Sequence, residues 1–164
     1  MLLATRKGQA VRFPEEEVRP MGRQAKGVIG VRLDGEDEVV GMVALRGAKF
    51  LMSVSSRGFG KRTPLEEYRR THRGGKGVLL MRLSDRTGDL VAVKGVDERD
   101  ELMAITQKGL LIRISVRDVR AMGRVTQGVK LMDLDPEDRV VDVEHLAQDE
   151  EDQVSDHVMT LEVS

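Results

Sequence analysis

Arg73-Gly74-Gly75-Lys76-Gly77-Val78 decides how this chain is read, because its surroundings return about fifty residues away in both directions. Upstream stands Arg23-Gln24-Ala25-Lys26-Gly27-Val28, and downstream Arg124-Val125-Thr126-Gln127-Gly128-Val129. Further out, Gly8, Gly58 and Gly109 recur with steps of 50 and 51, as do Arg12, Arg62 and Arg113. A fixed period of this size marks a repeat architecture, in which each unit buries its faces against its neighbours.

The middle repeat supplies the pattern. Leu51 to Ser56 alternates apolar and polar residues up to Arg57-Gly58, and Phe59 to Thr63 resumes before Pro64, which predicts a hairpin turned by glycine. Glu66 to Lys76 is charged and has no helical apolar period, so a long exposed loop is expected there. Val78 to Leu83 and Leu90 to Val93 provide a third and a fourth strand, with a turn over Ser84 to Gly88. The first repeat offers Met1 to Thr5, Gln9 to Phe13, Val28 to Leu33 and Val39 to Val43; the third offers Leu102 to Thr106, Leu110 to Ile114, Val129 to Leu134 and Val140 to Val143. No helix longer than a turn is predicted. The fold class is therefore all-β, with propeller-like blades of about four strands each. The units are 1–48, 49–98 and 99–146, followed by an acidic stretch, 147–164, that composition marks as disordered. Three blades are too few to close a flat ring, and the first strand lacks a lead-in such as Asp100-Glu101. A partial or open array, cut from a longer one, is expected.

Composition narrows the function. The absence of cysteine excludes disulfides, thiolate metal sites and a cysteine nucleophile, and fits a reducing cytoplasm. No stretch has the length of a signal peptide or a transmembrane span. His72, His145 and His157 have no metal-binding spacing, and neither a phosphate loop nor a nucleophile elbow is present. No catalytic residue, metal or cofactor is therefore assigned. The net charge of -1 hides an asymmetry: Asp149, Glu150, Glu151, Asp152, Asp156 and Glu162 crowd into the last stretch without a Lys or Arg, so the repeats are basic on balance. Two readings of that tail compete, a solubilising segment and a mobile polyanion that occupies the basic surface.

Basic residues recur in register. Arg12, Arg62 and Arg113 end the second strand, Arg19, Arg69 and Arg120 sit in the long loop, and Arg23, Arg73 and Arg124 close it. Lys26, Lys61, Arg70 and Lys76 add to them, and Gly74, Gly75 and Gly77 would let backbone N–H groups approach a phosphate. Repetition of the fold should carry these residues to equivalent points of a continuous basic track. Exposed aromatics are scarce, so duplex backbone binding without sequence readout is expected rather than base stacking. Some arginines should instead pair with loop acids such as Glu15 to Glu17, Glu66 and Glu67. Tyr68 stands where the other repeats place Val18 and Val119, which suggests packing.

Phe59-Gly60-Lys61-Arg62-Thr63-Pro64-Leu65-Glu66-Glu67-Tyr68-Arg69, then Arg73 to Val78, then Leu102-Met103-Ala104-Ile105-Thr106-Gln107-Lys108-Gly109, resemble the C-terminal domain of DNA gyrase A, part of a bacterial type IIA topoisomerase. The resemblance spans residues 1–146. It implies a β-pinwheel, a propeller-like disc whose strands are exchanged between blades, with duplex DNA bent around its basic rim. It also implies partnership with the rest of gyrase A and with gyrase B, support of DNA supercoiling, and a cytoplasmic, nucleoid-associated setting. The family's box motif, Gln-Arg-Arg-Gly-Gly-Lys/Arg-Gly, is matched from Arg73 to Gly77, while Thr71 and His72 depart from it. Gln127 and Asp133 weaken the third repeat where Lys76 and Arg82 stand in the second. The breakage-reunion domain has no counterpart, so this chain alone is read as non-catalytic. Two other readings stay open: a propeller-type protein-interaction module without DNA binding, and self-association in which two chains complete each other's blades.

Overall fold

The computed structural model describes residues 1–146; the acidic stretch 147–164, with both readings of it, lies outside the described residues. Among the described residues, eleven strands form three sheets. In the first repeat these are β1 (Leu2–Thr5), β2 (Gln9–Arg12) and β3 (Val39–Val43); in the second, β4 (Phe50–Ser55), β5 (Phe59–Pro64), β6 (Val78–Leu79) and β7 (Leu90–Val96); in the third, β8 (Glu101–Thr106), β9 (Leu111–Ser115), β10 (Val129–Lys130) and β11 (Val140–His145).

Each repeat opens on a hairpin whose turn glycine adopts positive φ: +83° at Gly8, +79° at Gly58 and +87° at Gly109. An L side chain is strained there, which explains why glycine recurs at this step. The turn is closed by N–H groups of these glycines donating to the carbonyls of Thr5, Ser55 and Thr106 at 2.9, 3.0 and 3.0 Å. After the hairpin, Pro14, Pro64 and Ser115 lead into single 3-10 turns at Glu15–Glu17, Leu65–Glu67 and Val116–Asp118, and the long loop follows.

Sheet and repeat do not coincide. The first sheet runs β3-β1-β2-β6, the second β10-β5-β4-β7, and the third β11-β8-β9. The first two blades thus each take their strand beyond the hairpin from the next repeat. Val78 and Leu79 lie opposite Ala10 and Gln9, and Val129 and Lys130 lie opposite Gly60 and Phe59. This is a β-pinwheel with exchanged strands. The four-strand blade read within each repeat is corrected accordingly. Val28 to Leu33, expected as a strand, forms none among the described residues.

The core follows from the exchange. One apolar cluster joins Leu2, Ala4, Ala10 and Val43 to Leu51, Leu65, Tyr68, Leu80 and Val93, across the first two repeats. The other joins Met52, Val54, Ala92 and Val96 to Leu102, Ala104, Val119, Met132 and Val143. Successive residues of β4 point to opposite clusters, Leu51 to one and Met52 to the other, because strand side chains alternate. The middle blade is buried on both faces. Each fully buried Leu contributes about 1.5–3 kcal/mol, and each cluster draws its residues from two repeats.

Candidate nucleic-acid interface

The long loops 18–26, 68–76 and 119–127 carry most of the basic residues singled out from sequence, and the structure divides them into two groups. Arg19, Arg23, Lys26, Arg69, Arg70 and Arg120 are exposed, and among the described residues their side chains make no hydrogen bond or ion pair. Of the basic residues singled out from sequence, these are open to a ligand. Lys76 and Gly75 are exposed as well, Lys76 lying 3.1 Å from Asp34 in an ion pair that solvent weakens.

In a second group, Arg12 and Arg62 bond across to the next repeat. Arg12 Nη1 donates to the carbonyls of Leu65 (2.7 Å) and Tyr68 (3.1 Å), and Arg62 Nε donates to the carbonyl of Val119 (2.6 Å). Both arginines reach from the end of one hairpin into the loop of the next repeat. Arg62 also meets Glu98 at 3.0 Å and stacks over Phe50. Arg113, at the same position in the third repeat, is directed to Glu101 of its own blade (2.9 Å).

Arg73 and Arg124 reach back instead. Arg73 Nη1 donates to the carbonyl of Ile29 (3.0 Å) and its Nε to that of Glu17 (3.1 Å); Arg124 Nη1 donates to the carbonyl of Leu79 (2.8 Å). The expected pairing with loop acids takes an unexpected form. Glu17 and Glu67 accept from the backbone N–H of Arg73 and Arg124, at 3.0 and 2.9 Å, not from their guanidinium groups. The Arg73 amide, together with the His72 ring 2.9 Å away, holds the Glu17 carboxyl below the usual carboxylate range.

Lys61 is the largest correction. It is fully buried, and its Nζ donates to the carbonyls of Gly123 (2.7 Å) and Arg124 (2.6 Å) and to Thr126 Oγ1 (3.3 Å). Burial pushes its pKa down to about 8. No phosphate can reach this ammonium. The glycines behave in the same way: Gly74 donates its N–H to the carbonyl of Gly30 at 2.7 Å, and a Cβ at Gly77 would lie 2.3 Å from the carbonyl oxygen of Ala10. The Arg73 to Gly77 motif is thus mainly an inter-blade joint. An open depression of 460 Å³ remains beside it, lined by Arg12, Arg69, Arg73, Gly74, Gly75 and Lys76.

Arg32 and Arg82 are exposed without a side-chain partner among the described residues, and their shared position after the loop was the signal that could have placed them in the candidate set. Among the described residues no group of three or more His, Cys, Asp or Glu could hold a metal ion, and no helix is long and apolar enough to cross a membrane.

Comparison with known proteins agrees with this geometry. The family model described as DNA gyrase C-terminal domain, beta-propeller, matches residues 1–46, 49–97 and 100–146. DNA gyrase A of Aminobacterium colombiense is 45% identical over 140 residues, covering 85% of this chain and 17% of that protein. DNA gyrase A of Chlamydia pneumoniae is 42% identical over 153 residues, covering 93% and 18%. A solved structure of the DNA gyrase A C-terminal domain superposes with a TM-score of 0.84 at 26% identity, covering 89% of this chain and 50% of that one. The chain thus spans under a fifth of the length of these curated relatives.

Proposed function

This chain belongs to the DNA gyrase C-terminal domain, beta-propeller, family, and from that premise we propose that it binds duplex DNA through the phosphate backbone and bends it. The observation that carries the reading is the recurrence of exposed cations without a side-chain partner among the described residues at one position of the repeat, Arg19, Arg69 and Arg120, with Arg23, Lys26 and Arg70 beside them. Arginine presents a planar fork to phosphate oxygens, and each neutralised phosphate releases a counterion. Bending a duplex of about 20–30 base pairs through some tens of degrees costs of order 1–6 kcal/mol, which several such contacts offset. Binding of this kind carries no base readout. In a complete type IIA topoisomerase, with the rest of gyrase A and with gyrase B, the bent segment would be presented for strand passage and would support supercoiling. The chain itself is assigned no catalytic step.

The test is the affinity for a linear duplex of roughly a hundred base pairs across a salt series. Each phosphate contact contributes about 0.9 to the slope of log affinity against log salt. Arg69→Glu, Arg70→Glu and Arg120→Glu are each expected to flatten that slope by about this amount. Retardation absent even at low salt would overturn the proposal and favour a protein-interaction module.

A further inference from the structure

The two joints between described repeats hold a carboxylate in the same place and differ in the side chain set against it. Between the second and third repeats, Glu67 accepts from the Arg124 N–H at 2.9 Å, and a Cβ added at Gly123 would lie 3.5 Å from its Oε2. Between the first and second, Glu17 accepts from the Arg73 N–H at 3.0 Å. Here the residue preceding the arginine is His72, and its Nδ1 lies 2.9 Å from Glu17 Oε1. One joint thus sets an imidazole on its carboxylate, and the other has glycine at that position.

The bond fixes the state of the ring. A carboxylate only accepts, so the proton of the neutral imidazole sits on Nδ1 and Nε2 is left as a bare acceptor. The side chain is 95% exposed, and among the described residues only Glu17 bonds the ring. His72 lines the same open depression as Arg12, Arg69, Arg73 and Lys76. Of these, Arg12 and Arg73 direct donors to carbonyls and Lys76 pairs with Asp34, so Glu17 is the charged group that meets the imidazole directly. A bare Nε2 turns a lone pair toward an incoming phosphate oxygen and repels it. A proton taken from solvent replaces that lone pair with an N–H donor and adds a positive charge, while Glu17 keeps the ring in place.

We propose that His72 is a phosphate-contacting residue of the DNA-binding surface, that it makes this contact only with a proton on Nε2, and that Glu17 is its positioning residue. The inference rests on the DNA-binding reading above. Proton uptake and phosphate occupancy reinforce each other, so duplex affinity rises as pH falls through the range in which histidine gains its charge, from about pH 8 to about pH 5.

The test is the same salt series run with the full chain at about pH 7.5 and about pH 5.5. One added phosphate contact should steepen the log–log slope by about 0.9 at the lower pH. His72→Asn should give one slope at both pH values. His145, the other described histidine, lies 3.7 Å from Asp100 and is common to both proteins, so its titration does not separate them. Glu17→Gln keeps an acceptor for the Arg73 N–H but removes the anion, and should move the change to lower pH; an unmoved profile would overturn the part given to Glu17. Gly123 is not among the glycines at positive φ, so Gly123→His should set a second ring against Glu67 and about double the pH-dependent change in slope. A parent that binds with one slope at both pH values would overturn this inference alone, as would a change of full size in His72→Asn. Retardation absent at both would overturn the DNA-binding reading and this inference with it.

Discussion

At the scale of the residue, the chemistry of a cation is decided by where its head group ends, not by its charge. Lys61 satisfies three acceptors in a buried position with a pKa near 8, against 10.5 for a free lysine side chain. Between those two values the unfolded chain holds a proton that the folded chain has released, so this group makes stability rise with pH through that window. Below about pH 8 the desolvation cost is present in full. Lys61→Met should therefore lose stability relative to the parent as pH climbs from 8 to 10.5, and parallel melting curves would refute the assignment. Loss of the three bonds should loosen the loop 119–127 at a cost of about 1–3 kcal/mol, while the salt slope of DNA binding stays as it was. The burial of Lys61 was legible: Val11 and Ile112 occupy its position in the other repeats, both apolar. The direction of Arg12, Arg62 and Arg73 was not, because their acceptors are carbonyls some 44 to 57 residues away, and any residue type can present one.

At the scale of the element, the loop and the two-residue strand behind it act as a hinge pin between blades. Gly27 and Gly128 have nearly the same φ, +79° and +77°, so alanine meets a similar backbone penalty at both, about 1–2 kcal/mol. Their surroundings differ. An added Cβ lies 2.4 Å from the Gly60 carbonyl oxygen at Gly128 and meets nothing described at Gly27. Gly128→Ala should consequently cost several kcal/mol more than Gly27→Ala in denaturant unfolding at low protein concentration; equal losses would show that the joint is soft. The strand positions themselves were readable from alternation and turn glycines. Their partners were not, because pairing across 68 to 71 residues leaves no local pattern: β2 takes Val78–Leu79 and β5 takes Val129–Lys130.

At the scale of the whole molecule, the proposed DNA binding requires the cations at one repeat position, Arg19, Arg69 and Arg120, to follow one another from blade to blade as an arc. A duplex that follows the arc must bend, so dyes at the two ends of a duplex of roughly a hundred base pairs should approach on binding; unchanged transfer in the bound state would mean attachment without bending. The sequence by itself determined the period, the all-β class, the hairpins with their turn glycines and the density of cations in the loops, because each of these is a local property repeated three times. Only the tertiary structure decided which cations remain open and which strand completes which blade. Burial and hydrogen bonding depend on what the neighbouring repeat places opposite a residue, and in an exchanged architecture that neighbour lies some fifty residues or more along the chain.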